Sequence, residues 1–248
     1  MKSLIKMIWM ETKLFLREPV SAFFTLIFPV MMLSLFGTIY SSTSIPGKSA
    51  QMSLNASVPI LMALIIGTTG LMSTTITMAT YRENDILRRL QTTPVSSRCV
   101  LAAQVIVVFM MTSLGVLLLI IAGRLVYDVS LDGNPLSVLV GFTLASLSFF
   151  GIGFILAGTL PTARSAQVIG LVLLYPMVFL SGAAGFPREL LPETIQKVAA
   201  FLPLTYVVNL LQGLWFGEAW SQHVADVLIL GAILVAGVLI SNRTFRWE

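Results

Sequence analysis

The sequence predicts an all-α polytopic membrane protein with six transmembrane helices, an N-terminal amphipathic interfacial helix and a helical hairpin before the last span. The first observation is composition: of the 248 residues, 56% are hydrophobic and only 10% are charged, whereas roughly a quarter of the residues in soluble globular proteins are charged. The second is a series of long runs without Asp, Glu, Lys or Arg. Most of these runs reach the about 20 residues that a helix needs to cross the hydrocarbon core. The whole chain, 1–248, is therefore expected to be a single transmembrane domain.

The charge-free runs also give the order of the elements. The six predicted spans are about residues 20–40, 57–80, 100–124, 136–160, 165–186 and 223–241. A seventh run, Pro203–Gly217, would form a helix of only roughly 22 Å, and it contains Asn209 and Gln212. We interpret residues 187–217 as a re-entrant or partly inserted helical hairpin on the outer side of the membrane. A seventh full span is the alternative.

The basic residues predict the orientation of the spans. With six spans, eleven of the 15 Lys and Arg residues fall on the side of both termini, and only Lys48, Arg124, Arg188 and Lys197 fall on the other. Cytoplasmic loops carry an excess of Lys and Arg, so both termini are expected on the cytoplasmic side of the inner membrane. The net charge of +4 then belongs to that face. It does not indicate nucleic-acid binding, because no basic stretch is interleaved with base-stacking aromatic residues.

Residues 1–18 are predicted to form an amphipathic helix in the inner headgroup layer. On a helical wheel the four basic residues fall in one arc, and the roughly opposite arc holds Leu4, Ile5, Ile8, Phe15 and Leu16. A helix of this kind lies in the membrane interface with its apolar face towards the acyl chains. The pattern fits an ordinary juxtamembrane anchor and a coupling element equally well.

Residues 81–98, between the second and third spans, are the densest polar stretch and read Y-R-E-N-D-I-L-R-R-L-Q-T-T-P-V-S-S-R. They predict a short amphipathic helix that ends at Thr93-Pro94, because the residue before a proline is disfavoured in helical conformation. Asp85 has arginines three and four residues away, at the spacing for ion pairs on a helix. One interpretation is a solvated loop whose arginines set topology. Glu83 and Asp85 favour a docking element instead, because acidic residues contribute little to topology.

No motif indicates catalysis or a metal site. Gly47-Lys48-Ser49 is similar to the tail of a phosphate-binding loop, but Ser42 stands where the leading glycine is needed. The chain is therefore not expected to hydrolyse ATP or to be an enzyme. The single Cys99 excludes an internal disulfide and a cysteine metal cluster. His223, the only histidine, is expected to meet water at the outer rim of the membrane rather than to form a metal or proton site.

The predicted spans have no ionisable residue near a midpoint. Ion-coupled transporters usually carry such residues there, which disfavours a secondary transporter and suggests an uncharged path for an amphipathic or lipid-like substrate. The candidate path residues are Thr69, Ser73, Tyr175, Tyr206, Asn209 and Gln212. Helix–helix packing is the alternative explanation for the hydroxyl groups of the second span.

Three motifs give the chain a resemblance to the membrane-spanning subunits of ABC type-2 transporters. The first is R-E-P, Arg17 to Pro19, at the end of the amphipathic helix. The second is Y-R-E-x-x-x-L-x-x-L-x-x-T-P-V, Tyr81 to Val95, and the third is F-L-P-L-T-Y-V-V-N-L-L-Q, Phe201 to Gln212. The family's second motif often carries E-R-E-x-G-T, and this chain departs from its last part at Asn84-Asp85-Ile86.

The resemblance implies the permease subunit of an ABC exporter, in a family that includes drug, polysaccharide and lipid-linked glycan (glycolipid) exporters. It implies a dimer of two copies, or of this chain and a related permease, docked on separate ATPase subunits that bind ATP and Mg. No cofactor is expected on this chain. The residues implied in ATPase coupling are Arg17, Glu18, Tyr81, Arg82, Glu83, Asp85, Arg88, Arg89, Thr93 and Pro94. The alternatives are a non-transporting sensor or scaffold subunit and a secondary transporter.

Overall fold

The computed structural model describes residues 2–42, 50–84, 86, 97–184 and 192–244, and all regular elements in them are helical. The helices are α1 Lys2–Arg17, α2 Pro19–Ala22, α3 Phe28–Ser42, α4 Ala50–Thr68, α5 Thr75–Glu83, α6 Ser97–Tyr127, α7 Pro135–Thr159, α8 Ala163–Ser181, α9 Glu193–Ala199, α10 Pro203–Trp215 and α11 Val224–Thr244. The π-helical segments Phe23–Ile27 and Thr69–Thr74 join α2 to α3 and α4 to α5, and the 3-10 turn Trp220–His223 leads into α11.

Six stretches of the described residues are long and apolar enough to cross a membrane. They are Phe23–Tyr40, Gln51–Glu83, Val100–Tyr127, Pro135–Thr159, Ala163–Ser181 and Trp220–Ser241. The predicted six-span all-α fold is therefore confirmed.

Hydrogen bonds between distant residues define the two ends of the bundle. At one end, Tyr81 in the last turn of α5 donates to the carboxylate of Glu11 in α1. We call this the α1 end. At the other end, the side-chain Nε2 of Gln51, at the start of α4, donates a hydrogen bond of 2.9 Å to the carbonyl oxygen of Tyr127, at the end of α6. We call this the hairpin end, because α10 returns to it.

The amphipathic helix α1 packs on the spans at the α1 end through a face of residues spaced by four. Met7, Glu11 and Phe15 are all buried on this face, where apolar side chains of α5 and α6 surround Met7 and Phe15. Ile5 and Leu16, which the helical wheel placed on the apolar arc, are exposed on the surface of the protein. The packed face therefore does not coincide with that arc, and it includes Glu11, which accepts a hydrogen bond from Tyr81.

Helices α9 and α10 form a re-entrant hairpin with a bend of 91° between them. Leu204, in the first turn of α10, packs beside Gly67, which is midway along Gln51–Glu83. The helix ends at Trp215, whose carbonyl accepts a hydrogen bond of 2.9 Å from the backbone of Gly133 in the loop before α7. It therefore starts at mid-depth and returns to the hairpin end, so it is not a seventh full span.

Two hydroxyl groups of α10 maintain the bend between α9 and α10. The Thr205 hydroxyl donates to the carbonyl of Ala199 over 2.6 Å, and the Tyr206 hydroxyl donates to the carbonyl of Ala200. The last carbonyls of a helix have no partner within it. The Ala199 carbonyl also accepts a hydrogen bond of 3.1 Å from the backbone nitrogen of Leu202, so the two hydroxyls complete the pairing of the carbonyls at the bend. Irregular backbone at membrane depth is tolerated where protein shields it in this way.

Glycines bring α7 close to two neighbouring helices. A methyl group on Gly153 would stand 2.2 Å from the carbonyl oxygen of Gly70, and one on Gly237 would stand 2.7 Å from Cα of Gly151. Small residues of this kind allow membrane helices to approach closely. The π-helical segment Thr69–Thr74 thus lies directly against α7, which also packs on α11.

His223 is buried at the hairpin end, so the expectation that it meets water is wrong. Its Nδ1 lies 2.9 Å from Oδ2 of Asp226 and its Nε2 lies 3.0 Å from Oε2 of Glu218. The turn after α10 and the first turn of α11 bring these groups together, and hydropathy alone carries no signal for that approach. Both ring nitrogens face carboxylates, and among the described residues no group of side chains could hold a metal ion.

The His223 cluster gives a test of the hairpin packing. A methyl group on Gly213 in α10 would stand 1.9 Å from Nε2 of His223, so Gly213→Ala should displace the imidazole from Glu218. We expect a loss of about 1.5–3 kcal/mol, the usual contribution of a hydrogen bond to a charged group, seen as a lower thermal unfolding midpoint in detergent. In a His223→Ala background the same substitution should cost much less, because the two closest contacts of the methyl group are gone and only the flexible Glu218 carboxylate remains near it, at 2.9 Å.

The matched control for this prediction is Gly231→Ala in α11. A methyl group at Gly231 would meet nothing within 4 Å, so the unfolding midpoint should not fall. An equal cost of Gly213→Ala in both backgrounds would contradict the assignment of the clash to His223.

Candidate functional site

The last three residues of α5 bond to three different elements at the α1 end, and we call Tyr81, Arg82 and Glu83 the clasp. Tyr81 bonds to α1, Arg82 to the carbonyls at the end of α7, and Glu83 to the backbone at the start of α8. One turn of helix thus holds α1, α7 and α8 in a fixed arrangement. It also lies at the start of the polar stretch 81–98.

The first contact of the clasp is a buried pair. The Tyr81 hydroxyl lies 2.8 Å and 2.7 Å from the two carboxylate oxygens of Glu11, and the two residues are only 7% and 3% exposed. Apolar residues including Met78 and Val100 surround the pair. Burial raises the pKa of the Glu11 carboxyl above its ordinary value of 4.5, the hydrogen bond from Tyr81 lowers it in part, and the charge of Glu18 raises it.

The second contact places a cation at the end of α7. Nη1 of Arg82 lies 2.8 Å from the carbonyl oxygens of Ala157 and Gly158. The last carbonyls of a helix lack intrahelical partners, and the negative end of the helix dipole favours a cation. The Arg82 guanidinium therefore serves as a side-chain cap for α7.

The third contact places an anion at the start of a helix, whereas the second places a cation at the end of one. Oε2 of Glu83 accepts a hydrogen bond of 2.8 Å from the backbone nitrogen of Ala163, the first residue of α8. The free N–H groups and positive dipole at a helix start favour an anion. Thr162 and Ser165 add a capping box at the same place. Adjacent residues of opposite charge thus hold the two helix ends on either side of the short loop between α7 and α8.

The other predicted coupling residues are not part of the clasp. Arg17 and Glu18 are exposed at the junction of α1 and α2, where Oε2 of Glu18 accepts a hydrogen bond of 3.1 Å from Ser21. The remaining predicted coupling residues lie outside the described residues: Asp85, Arg88, Arg89, Thr93 and Pro94.

The predicted path residues fall in two groups. Thr69 and Ser73 are buried in the π-helical segment, and the Thr69 hydroxyl donates to the carbonyl of Ile65 over 2.8 Å within its own helix. The second group is half-exposed: Tyr206, Asn209 and Gln212 are three residues apart on one face of α10. Tyr175 on α8 is 55% exposed, beside Leu174, which packs at the same depth as Leu204 of α10.

Sequence reasoning missed the partners of the clasp. Glu11 had a weak signal, because it lies four residues from both Met7 and Phe15 and so shares their helical face. No such signal exists for the other partners, because every residue has backbone groups. These partners are the carbonyls of Ala157 and Gly158 and the N–H of Ala163.

The raised pKa of Glu11 predicts a pH dependence. A folded-state pKa above the ordinary value means that the folded protein holds this proton more tightly, so the contribution is favourable at low pH and is lost as pH rises from 4.5 through the raised pKa. Glu11→Gln should remove this part of the pH profile and be at least as stable at neutral pH. The measurement is the thermal unfolding midpoint of both proteins across that pH range.

Tyr81→Phe is the companion variant, because it removes only the hydroxyl. It leaves Glu11 buried without its donor, so we expect a loss of about 1.5–3 kcal/mol at neutral pH. In the Glu11→Gln background this loss should shrink, since no buried charge remains. A pH profile that Glu11→Gln leaves unchanged would show that another group titrates.

Comparisons with known proteins give the family of the chain. The model of the ABC-2 type transporter family matches residues 2–216. Nodulation protein J of Rhizobium leguminosarum bv. viciae is 28% identical over 103 residues, which cover 42% of this chain and 39% of that protein. The inner membrane transport permease YhhJ of Escherichia coli (strain K12) is 27% identical over 175 residues, covering 66% of this chain and 45% of that protein. The linearmycin resistance permease protein LnrN of Bacillus subtilis (strain 168) is 26% identical over 185 residues, covering 75% and 45%.

These matches span less than half the length of each of the three relatives. The family match is broader, because it includes α1, the clasp and the whole of α10. The chain belongs to the ABC-2 type transporter family of membrane transport permeases.

Proposed function

We propose that this chain is the membrane-spanning subunit of an ATP-driven exporter and that a separate ATPase subunit docks at its α1 end. Permeases of this family generally work with an ATPase partner. The observation that carries the proposal is the clasp, since the polar stretch 81–98 begins with three residues that bond to α1, α7 and α8. In this proposal the chain is not an enzyme, and ATP and Mg bind to the partner.

The clasp explains how a push on residues 81–98 would reach the spans. Displacement of the last turn of α5 moves α1 through Glu11 and the ends of α7 and α8 through Arg82 and Glu83. On the other side, α5 is joined to α4 by the π-helical segment Thr69–Thr74. Such segments are weak points of a helix and are frequent at functional sites. The inner end of the span can therefore shift relative to its outer half.

A polar face on α10 supports a translocation path completed by a second chain. Tyr206, Asn209 and Gln212 are half-exposed within a helix that starts at mid-depth, and uncovered polar groups are costly in lipid. A second copy or a related permease facing this side would cover them. Tyr175 lies at the same depth on α8 and would line the same path.

The substrate class follows from the absence of charge on these residues. A path of hydroxyl and amide groups suits an amphipathic or lipid-like compound, of the drug, glycolipid or polysaccharide class. Export is supported by the relative LnrN, which is named for linearmycin resistance, because removal of a compound from the cell is a route to resistance. The distribution of basic residues supports a cytoplasmic position for both termini and a location in the cytoplasmic membrane.

The test is to co-express the chain with ABC ATPase subunits of the same genome, reconstitute the complex and measure its ATPase activity and transport. Arg82→Gln should lower transport-coupled ATPase activity by about ten-fold, which corresponds to 1.4 kcal/mol of lost charge-assisted bonding. Glu83→Gln should act in the same direction. Arg164→Gln is the matched control, because Arg164 is exposed at the same end outside the clasp, and it should keep the wild-type activity.

Three outcomes would reject the proposal. If no ATPase subunit co-purifies, the chain is not energised in this way. If an ATPase binds but no transport occurs, a sensor or scaffold role is favoured. If transport stops when the proton gradient is collapsed while ATP remains high, the chain is a secondary transporter.

A further inference from the structure

The His223 ring lies between two carboxylates at the place where the hairpin helix α10 meets the last span α11. Its Nδ1 is 2.9 Å from Oδ2 of Asp226, and its Nε2 is 3.0 Å from Oε2 of Glu218. Both separations are ordinary for hydrogen bonds between nitrogen and oxygen. His223 is only 7% exposed and Asp226 only 8%, so the ring has little access to water as an alternative partner.

The two contacts together require one proton more than a neutral imidazole carries. A neutral ring has one N–H group and one bare nitrogen, and an ionised carboxylate can only accept hydrogen bonds. With a neutral ring, one of the two contacts would therefore set a nitrogen lone pair against an oxygen lone pair. An imidazolium ion donates from both nitrogens and satisfies both contacts.

The positions of the two carboxylates favour the ring as the carrier of this proton. Asp226 is the third residue of α11, where the positive end of the helix dipole favours an ionised carboxylate. The Glu218 side chain is 48% exposed, so water stabilises its ionised form. With both carboxylates ionised, the additional proton lies on the His223 ring.

The described elements around the ring supply no second cation. Helices α7 and α10 have no Asp, Glu, Lys, Arg or His, and α11 has only Asp226 in its first turn and Arg243 near its opposite end. The loop between α6 and α7 adds Asp128 and Asp132, and the Asp132 carboxylate accepts a hydrogen bond of 3.1 Å from Ser130. Without the proton on the ring, the cluster would hold two negative charges with no cation between them.

The cluster joins α10 to α11 through a continuous series of hydrogen bonds. The backbone nitrogen of Glu218 donates to the carbonyl oxygen of Gly213 in α10 over 2.9 Å, while its side chain bonds to His223, which bonds to Asp226 in α11. The ring also lies directly on Gly213, because a methyl group there would stand 1.9 Å from Nε2. Loss of the proton would break this series at the ring.

We propose that Glu218, His223 and Asp226 form a site that binds one proton from the solution at the hairpin end, and that this proton holds α10 against α11. The exposed carboxylate of Glu218 gives the proton its route to the buried ring. The contact between the two helices is therefore expected to be tight when the proton is bound and looser after it leaves.

Nuclear magnetic resonance of the ring nitrogens tests the site directly, because His223 is the only histidine of the chain. The full chain is purified with a tag that lacks histidine, isotopically labelled at histidine nitrogen and placed in nanodiscs. The chemical shifts of Nδ1 and Nε2 then report whether each nitrogen carries a proton. Over about pH 5 to 8, the range in which histidine changes its charge, we expect a ring with two protons that converts at higher pH to a ring with one.

Neutral substitutes for the two carboxylates should weaken proton binding. Glu218→Gln and Asp226→Asn should each lower the proton affinity of the ring by about ten-fold, because a hydrogen bond between two charged groups is lost. Asp132→Asn is the matched control, since Asp132 is exposed and bonds to Ser130. It should change the affinity by less than about two-fold, because an exposed charge is screened. Thermal unfolding midpoints show that each variant keeps its fold.

Hydrogen exchange of residues 216–223 tests whether the proton joins the two helices. Exchange is followed by mass spectrometry on the full chain in nanodiscs, at pH values on either side of the conversion of the ring, and is normalised to a peptide of α8. Protection of this turn should fall several-fold when the ring loses its proton, since the Glu218 N–H is bonded to α10. His223→Gln, which cannot hold the proton, should give low protection at both pH values.

Three results would overturn the proposal. A ring that carries only one proton throughout this pH range would exclude the imidazolium ion. An equal proton affinity in the wild type, Glu218→Gln and Asp226→Asn would mean that the carboxylates do not hold the proton. Protection that is unchanged when the ring loses its proton would mean that other contacts join α10 to α11. Neither measurement uses an ATPase or a substrate, so these outcomes are independent of the proposed transport function.

Discussion

The structure depends on the need to satisfy helix ends where little water is available. Each membrane helix leaves several carbonyl and N–H groups without partners at its ends. At the α1 end, Arg82 and Glu83 meet two such ends with charges of the sign that each helix dipole favours. Because they are adjacent on α5, the ends of α5, α7 and α8 cannot shift independently. Tyr81 extends the same constraint to α1 by solvating the buried carboxylate of Glu11.

The hairpin end follows the same rule with other residues. Thr205 and Tyr206 satisfy the carbonyls at the break between α9 and α10, and His223 joins Glu218 and Asp226 across the return into α11. Between the two ends the helices are held by close contact instead, with glycines of α7 against the π-helical segment and α11. The molecule thus has two polar ends and a closely packed centre, and α7 runs from one end to the other.

The approach of α7 to α11 also shapes the lipid-facing surface. The Gly151–Gly237 contact brings these two helices together, while α6 stands at the other side of the floor that Phe150 and Phe154 provide. The result is an apolar groove between α6, α7 and α11.

Much of the fold could be predicted from the sequence, because the length of an apolar run can be counted along consecutive residues. The six spans follow from charge-free runs, and the hairpin follows from a run too short to cross. The amphipathic helix was predicted, but its packed face was not. A helical wheel assigns polar residues to the exposed side, whereas the polar residue Glu11 is buried. His223 was misplaced for a different reason: the turn after α10 and the first turn of α11 fold its two carboxylate partners onto it, and hydropathy does not record that local geometry.

The sequence by itself determined the number of spans, the predicted orientation and the position of the polar stretch that begins at Tyr81, since each depends on the kind and order of residues along the chain. Only the tertiary structure decided what Tyr81, Arg82 and Glu83 bind. Their partners are a carboxylate about seventy residues away and backbone groups about eighty residues away. Such backbone groups become available only at the ends of formed helices. A polar stretch in a sequence therefore shows where contacts will be made, and the packing of the helices decides with which groups.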